Sequence, residues 1–337
     1  MSRHLGLDLG GTNIKAVVLG RNEGPDGDGD LGVIASTSIA TAADRGPAVV
    51  AQRIVAAGRE LAASHPGLTT AGLGVPGLFN RDTGRIELFP NLPGPWAGFP
   101  LRERVGEGLG MPVAMINDAR AFVVAEATLG AGRGCRTVVG VTLGTGVGGG
   151  VIVDGRLHLG ATGTAGEIGH QTIEPDGPRC GCGNRGCAER LAQAETIARQ
   201  GGRATAEEVF AAATAGDARA RAAVDGAVRA LAIAIANVVT VLVPDAVIVG
   251  GGMAGANETL LEPLRAAVRE RTPLLPEGRV PILAARLGPT AGAIGAALAG
   301  GGFAGSGQPP AADPPPAVDR APAADPPPAA DPPARAR

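Results

Sequence analysis

The 337-residue sequence predicts an α/β protein of two related lobes, and three observations carry that prediction. First, Gly6-Leu7-Asp8-Leu9-Gly10-Gly11-Thr12 returns as Gly140-Val141-Thr142-Leu143-Gly144-Thr145-Gly146, position 140 against position 6, an offset of 134. Second, both copies run on into an apolar hairpin strand, and so long a period marks a duplicated domain rather than a solenoid. Third, antiparallel strands at the start give way to alternating helix and strand patterns.

In order, His4–Leu9 reads as a strand, Asn13–Leu19 as its hairpin partner, and Leu31–Ser38 as a third strand after the glycine- and aspartate-rich turn Asn22–Asp30. Val50, Ile54, Ala57 and Leu61 recur at helical spacing over Pro47–Ala63. A buried strand at Ala71–Val75, a strand at Pro112–Ile116 and a helix at Ala119–Leu129 follow. The second half closes with a long helix carrying Val224, Val228, Leu231, Ile235, Val238 and Leu242, a strand Ala246–Val249, a strand near Ile282 and a helix Thr290–Leu298. The expected domains are 1–117 and 118–287, with the helix near 290–299 returning to the first lobe. Residues 301–337 repeat proline, alanine and aspartate and are expected to form a disordered tail, because they cannot bury enough apolar surface to offset the entropy of ordering.

Composition narrows the functional classes. Hydrophobic residues make up 45% of the chain, enough for two cores. A net charge of −2 and the lack of an arginine run give no field for nucleic acid or anionic lipid. Met1-Ser2-Arg3-His4 leads straight into a strand with no secretory apolar region, so a cytoplasmic protein without a membrane partner is expected. Cys180, Cys182 and Cys187 crowd together while Cys135 stands apart, which suits a metal site better than a disulfide framework.

Asp8-Leu9-Gly10-Gly11-Thr12 turns the first hairpin. Its glycines let backbone N–H groups approach a phosphate, Thr12 offers a hydroxyl, and Asp8 at the strand end is a candidate Mg²⁺ holder. Alone this is also an ordinary glycine hairpin; the matching Leu143–Gly150 segment makes two facing hairpins that can hold one polyphosphate. Gly250-Gly251-Gly252 is a third candidate, for the adenosine side, or a plain strand-to-helix turn. Asn117-Asp118 lies where a strand passes into a helix, the usual place for ligand contacts in open α/β sheets. Asp118 is the candidate base, although an N-cap role alone would account for it. His170, Cys180, Cys182 and Cys187, spaced H-x9-C-x-C-x4-C, are one imidazole and three thiolates suited to a closed structural Zn²⁺ site. Glu167 and Glu189 flank it and are candidates for sugar hydroxyls, although an ordinary exposed glutamate is the default reading of each taken singly.

These motifs, with Pro90-Asn91-Leu92-Pro93-Gly94, Gly166-Glu167-Ile168-Gly169-His170 and Cys180–Glu189, make the chain resemble a ROK-family sugar kinase, most like the bacterial glucokinases, over residues 5–298. The resemblance implies an actin-like, hexokinase-type ATPase fold of duplicated ribonuclease H-like domains, and an ATP-dependent hexose kinase, most simply a glucokinase. It also implies Asp118 as catalytic base, sugar contacts from Asn91, Asn117, Glu167, His170 and Glu189, and nucleotide contacts from Gly10, Gly11, Thr12, Thr145 and Gly146. ATP, Mg²⁺ and structural Zn²⁺ are the expected cofactors, and a homodimer or homotetramer the expected assembly. Pro95 follows Gly94 where many relatives place tryptophan. Other sugars (N-acetylmannosamine, N-acetylglucosamine, fructose, allose, mannose) are the alternatives within the kinases. A sugar-responsive repressor is the alternative outside them, disfavoured by the start of the first strand near residue 4.

Overall fold

The computed structural model describes residues 3–21 and 30–302. The expected turn over 22–29 and the tail from 303 lie outside the described residues. Strands β1 (Arg3–Leu9), β2 (Asn13–Arg21) and β3 (Leu31–Ala40) form an antiparallel meander. Helix α1 (Pro47–Ser64), β4 (Leu68–Val75), a small hairpin of β5 (Leu78–Phe79) and β6 (Ile86–Leu88), α2 (Leu101–Leu109) and β7 (Val113–Asn117) follow. After α3 (Asp118–Leu129) come β8 (Val138–Leu143), β9 (Val147–Val153) and β10 (Arg156–Leu157). Four helices, α4 (Ala188–Ala192), α5 (Ala194–Gly201), α6 (Ala206–Thr214) and α7 (Ala218–Leu242), precede β11 (Ala246–Gly250), α8 (Glu262–Arg271), β12 (Ile282–Ala284) and α9 (Ala291–Gly300).

The first sheet runs β3-β2-β1-β4-β7 and the second β10-β9-β8-β11-β12, with matching strand directions. The duplication legible at offset 134 is thus a repeated topology. Leu5, Leu7 and Leu9 of β1 are buried in one core with Val50, Ile54, Ala57 and Leu61 of α1. Each leucine, valine or isoleucine among them contributes about 1.5–3 kcal/mol when fully buried. The other face of the sheet takes α9. A Cβ on Gly6 or Gly72 would collide with the backbone carbonyl of Ala293 or Ala296, so only glycine lets α9 lie this close. Gly140, the partner of Gly6 in the repeat, plays the same part for α3: a Cβ there would strike the Val123 side chain. The two helices are therefore exchanged. Helix α3 leaves the first sheet and packs on β8 and β9, whereas α9 leaves the second and packs on β1 and β4. They also pack on each other, where Gly295 faces the carbonyl of Ala121.

The fully buried carboxylate of Glu126 fixes this crossing. Its Oε1 accepts the N–H groups of Arg286 and Leu287, on the segment from β12 to α9, at 2.9 and 2.8 Å, and its Oε2 accepts that of Ala131 at 2.9 Å. Helix α7 is long and apolar enough to cross a membrane, yet Val224, Val228, Leu231, Ile235 and Val239 are buried in the core of the second sheet. The expected stripe leaves that core in the last turn, where Leu242 is exposed. The elements with no reading in the sequence are α2, α4, α5, α6, α8 and the short strands β5, β6 and β10, which are brief or too rich in alanine and charge to show a period.

Helix α7 ends on Val243 at φ 42°, ψ 60°, a left-handed conformation that crowds a β-branched side chain. Val243→Asn should raise stability by about 1 kcal/mol, read as a higher denaturant midpoint at unchanged slope. No gain would mean that the backbone carries no strain there.

Candidate active site

Asp8 lies one residue from the end of β1, between Gly74 and the first turn of α9, where a Cβ on Gly292 would lie 2.7 Å from its Oδ2. Its cross-strand partner is Lys15, the chain's single lysine, whose Nζ donates to the Pro289 carbonyl at 2.8 Å. Burial and, after it, the Asp118 charge raise the Asp8 carboxyl, Lys15 opposes them, and the result is about 7.

Asp118 is the first residue of α3, but the cap is Asn117, whose Oδ1 accepts the N–H groups of Ala119 and Arg120 at 3.1 and 3.2 Å. The cap role considered for Asp118 thus belongs to its neighbour. Asn117 keeps its Nδ2 for other work, with the Gly77 carbonyl 3.4 Å away. Burial, with a smaller contribution from the Glu167 charge, raises Asp118, while the Ala119 N–H, 2.8 Å from Oδ1, and the Arg120 charge pull the other way, leaving it at about 6. At a helix N-terminus a carboxyl is usually a weaker base; here burial outweighs the backbone.

Arg120 is buried on α3 and donates to Glu167 Oε1 at 2.9 Å and to the Ala165 carbonyl at 3.1 Å, fixing the loop that carries Glu167. A 3₁₀ turn, Ile168–His170, then brings His170 beside the cysteines. The ligand atoms of His170, Cys180, Cys182 and Cys187 all lie within 4.8 Å of one another. His170 Nδ1 is 3.7 Å from Cys180 Sγ, and Cys182 Sγ is 3.7 Å from Cys187 Sγ. These separations suit a tetrahedron with Zn–S bonds of about 2.3 Å, whose edge is about 3.8 Å. All three cysteines are free, and burial with neighbouring thiols raises Cys187, so a bound cation would favour its thiolate. The donor set fits zinc.

The first glycine turn closes through Gly10 N–H to the Asn13 carbonyl at 3.0 Å. The fully buried Thr41 braces it, its hydroxyl donating to the Gly10 carbonyl at 2.7 Å and its N–H to the Thr12 carbonyl at 2.8 Å. Gly11 and Thr12 are exposed at its tip, as Thr145 is at the tip of the second turn. Asn91 is exposed too, on a loop whose carbonyl stands 3.9 Å from the position of a Gly11 Cβ. The Asn91 loop is anchored by Trp96, one place later than the resemblance anticipates, packed between Phe89 and Phe99 at 4.8 and 5.7 Å. Gly251, at φ 92°, abuts the Leu143 backbone so closely that a side chain would collide with it. In the second turn, Glu189 Oε2 accepts the Val147 N–H at 3.0 Å.

The structure therefore gathers Asp8, Asp118 and Glu167 into one electrostatic group, and His170, Glu189, the cysteines and the second glycine turn into another. Sequence reasoning missed Arg120 and Thr41, which hold the site without bearing its motifs. Both aspartates bind protons more tightly folded than unfolded, so they favour the fold at acid pH and lose that contribution as pH rises from about 4 to about 7. Asp118→Asn should stabilise the protein by about 1–3 kcal/mol at pH 8, leave it unchanged below pH 4, and lower the Asp8 titration in carboxyl NMR. Equal stability at pH 8 and an unmoved Asp8 would refute the pairing.

Residues 4–299 match the ROK family. A glucokinase of Halalkalibacterium halodurans is 36% identical over 292 residues, covering 78% of this chain and 84% of that protein. The crystal structure of a ROK hexokinase from Thermus thermophilus superposes with a TM-score of 0.76 at 36% identity, covering 88% of this chain and 97% of that one. A ROK family glucokinase from Streptomyces griseus, solved in complex with glucose and AMPPNP, gives 0.74 at 29% identity, covering 89% and 99%. With its repeated sheets, its paired glycine turns and a match running from the first strand into the last helix, this chain belongs to the ROK family.

Proposed function

We propose that the protein is an ATP-dependent hexose kinase that phosphorylates the 6-hydroxyl of glucose. The observation that carries this reading is the half-buried Asp118 carboxyl at the start of α3, within electrostatic reach of both Asp8 and Glu167 and raised to about 6. A group with that affinity is ionised at neutral pH and still takes up a proton readily. The names of the relatives and the glucose and AMPPNP complex of the Streptomyces griseus structure support the same donor and acceptor.

In this mechanism the two lobes, 1–117 with the last helix and 118–287, close over a sugar oriented by Asn91, Asn117, Glu167, His170 and Glu189. Arg120 keeps Glu167 aimed. The backbone of Gly10, Gly11, Thr145 and Gly146, with the Thr12 and Thr145 hydroxyls, holds the nucleotide phosphates, and Gly251 lies toward the adenosine. Asp118 accepts the proton of the 6-hydroxyl as its oxygen bonds to the γ-phosphorus and the bond to the β-γ bridging oxygen breaks, giving sugar 6-phosphate and ADP. Transfer through a loose transition state needs the hydroxyl aimed more than it needs a strong base, which suits a carboxylate of this strength. Mg²⁺, held by Asp8 directly or through water, would neutralise the phosphate oxygens. His170 and the three cysteines would hold structural Zn²⁺, fixing through Nδ1 the tautomer that leaves Nε2 to donate to the sugar.

Coupled assays of ADP release, with glucose, mannose, fructose, allose, N-acetylglucosamine and N-acetylmannosamine as acceptors and ATP or polyphosphate as donor, should give the highest kcat/KM for glucose with ATP. Asp118→Asn should lower kcat at least 10³-fold with the fold retained, and the parent kcat should fall below pH about 6, where Asp118 is protonated. Turnover by the Asn variant within tenfold of the parent would remove Asp118 as base. Metal analysis should find one zinc per chain, lost in Cys187→Ser; a metal-free parent of normal stability would remove the zinc.

A further inference from the structure

The two glycine turns are anchored differently. Thr41, the residue directly after β3, braces the first turn from the same lobe. The second has one closing bond of its own, Gly144 N–H to the Gly146 carbonyl at 3.0 Å, and takes its other anchors from the chain just beyond the cysteines. Cys187 is buried as the N-cap of α4, and two residues later Glu189 Oε2 accepts the Val147 N–H at 3.0 Å. Ala194, which opens α5, donates its N–H to the Gly144 carbonyl at 3.0 Å. A Cβ on Gly146 would lie 2.5 Å from Glu189 Oε2, so the carboxylate fills space that only glycine leaves. The other oxygen, Oε1, stands 3.9 Å from Cys180 Sγ and 4.0 Å from His170 Nδ1. One carboxylate thus touches the turn with one oxygen and faces the metal donors with the other.

From this geometry we infer that Glu189 is a positioning residue for the nucleotide: it ties the second glycine turn to the His170–Cys187 module, so that this module sets phosphate affinity even with no sugar bound. The inference rests on the reading of that turn as a nucleotide site, and it adds to the sugar contact that the resemblance implies for Glu189. A glycine-rich turn samples many backbone states, and its N–H groups bind phosphate well only when they are held convergent. Glu189 supplies the hold. Glu167 does not, because its carboxylate is engaged by Arg120 on α3.

The test uses the full chain without sugar. The dissociation constant for Mg²⁺-AMPPNP is measured by calorimetry, amide exchange at Val147 by hydrogen–deuterium exchange without nucleotide, and bound zinc and the unfolding midpoint are measured alongside. Glu189→Ala should weaken AMPPNP at least tenfold and speed exchange at Val147 at least tenfold, with zinc retained. Glu189→Gln keeps a carbonyl oxygen for the Val147 N–H and should stay within threefold of the parent in both. Should the alanine variant fail to fold, Glu189→Met, which keeps the length but has no acceptor oxygen, replaces it with the same expected losses. Parent-like AMPPNP affinity and parent-like Val147 exchange in the acceptor-free variant would overturn the inference and leave Glu189 a sugar contact only. Loss of both in the glutamine variant as well would also overturn it, since the charge rather than the tether would then matter. A parent chain that does not bind AMPPNP would fail the kinase reading instead, while Val147 exchange would still decide the tether.

Discussion

The contact of α3 with α9, each helix packed on the sheet it did not come from, is the constraint on which the rest of the structure depends. It requires glycine at Gly6, Gly72, Gly140 and Gly295, because a methyl group at any of them would meet a backbone carbonyl or the Val123 side chain. It also sets the site. Asp118 opens α3 and Asp8 lies against the first turn of α9, so packing two helices this closely brings two carboxylates within electrostatic range.

That placement costs stability. Both carboxyls resist ionisation, to about 7 for Asp8 and about 6 for Asp118, and burial is the leading cause for each. Lys15 and the Ala119 N–H offset only part of it. A site with two such carboxyls is suited to bind cations and polar ligands, since these relieve their unfavourable charge. The support for the site is correspondingly rigid: Arg120 holds Glu167, Thr41 holds the first turn, and Glu126 holds the strand-to-helix crossing.

The parts of this arrangement that were legible in the sequence are those where chemistry demands particular residue types at short spacing. The glycine turns, the Asn117-Asp118 pair and the histidine and cysteine cluster all have that character, and the internal repeat exposed the twofold plan. What could not be read was the bracing. Arg120 meets Glu167 across 47 positions and Thr41 meets Gly10 across 31, separations that leave no local pattern. The cap at α3 was open for a related reason: adjacent Asn117 and Asp118 are both good caps, and only the backbone geometry assigns the role to Asn117. Short helices such as α4 and α5 escaped because a turn or two of chain carries too little periodicity to separate from a loop.

In the proposed function Asp118 faces a sugar hydroxyl, with the nucleotide phosphates held opposite by the two glycine turns. A crystal structure of this chain with glucose and Mg²⁺-AMPPNP tests it most directly. The 6-hydroxyl is expected within about 2.6–3.2 Å of an Asp118 carboxylate oxygen and in line with the γ-phosphorus. A sugar bound with its 6-hydroxyl turned away from Asp118, or phosphates seated away from both glycine turns, would contradict it.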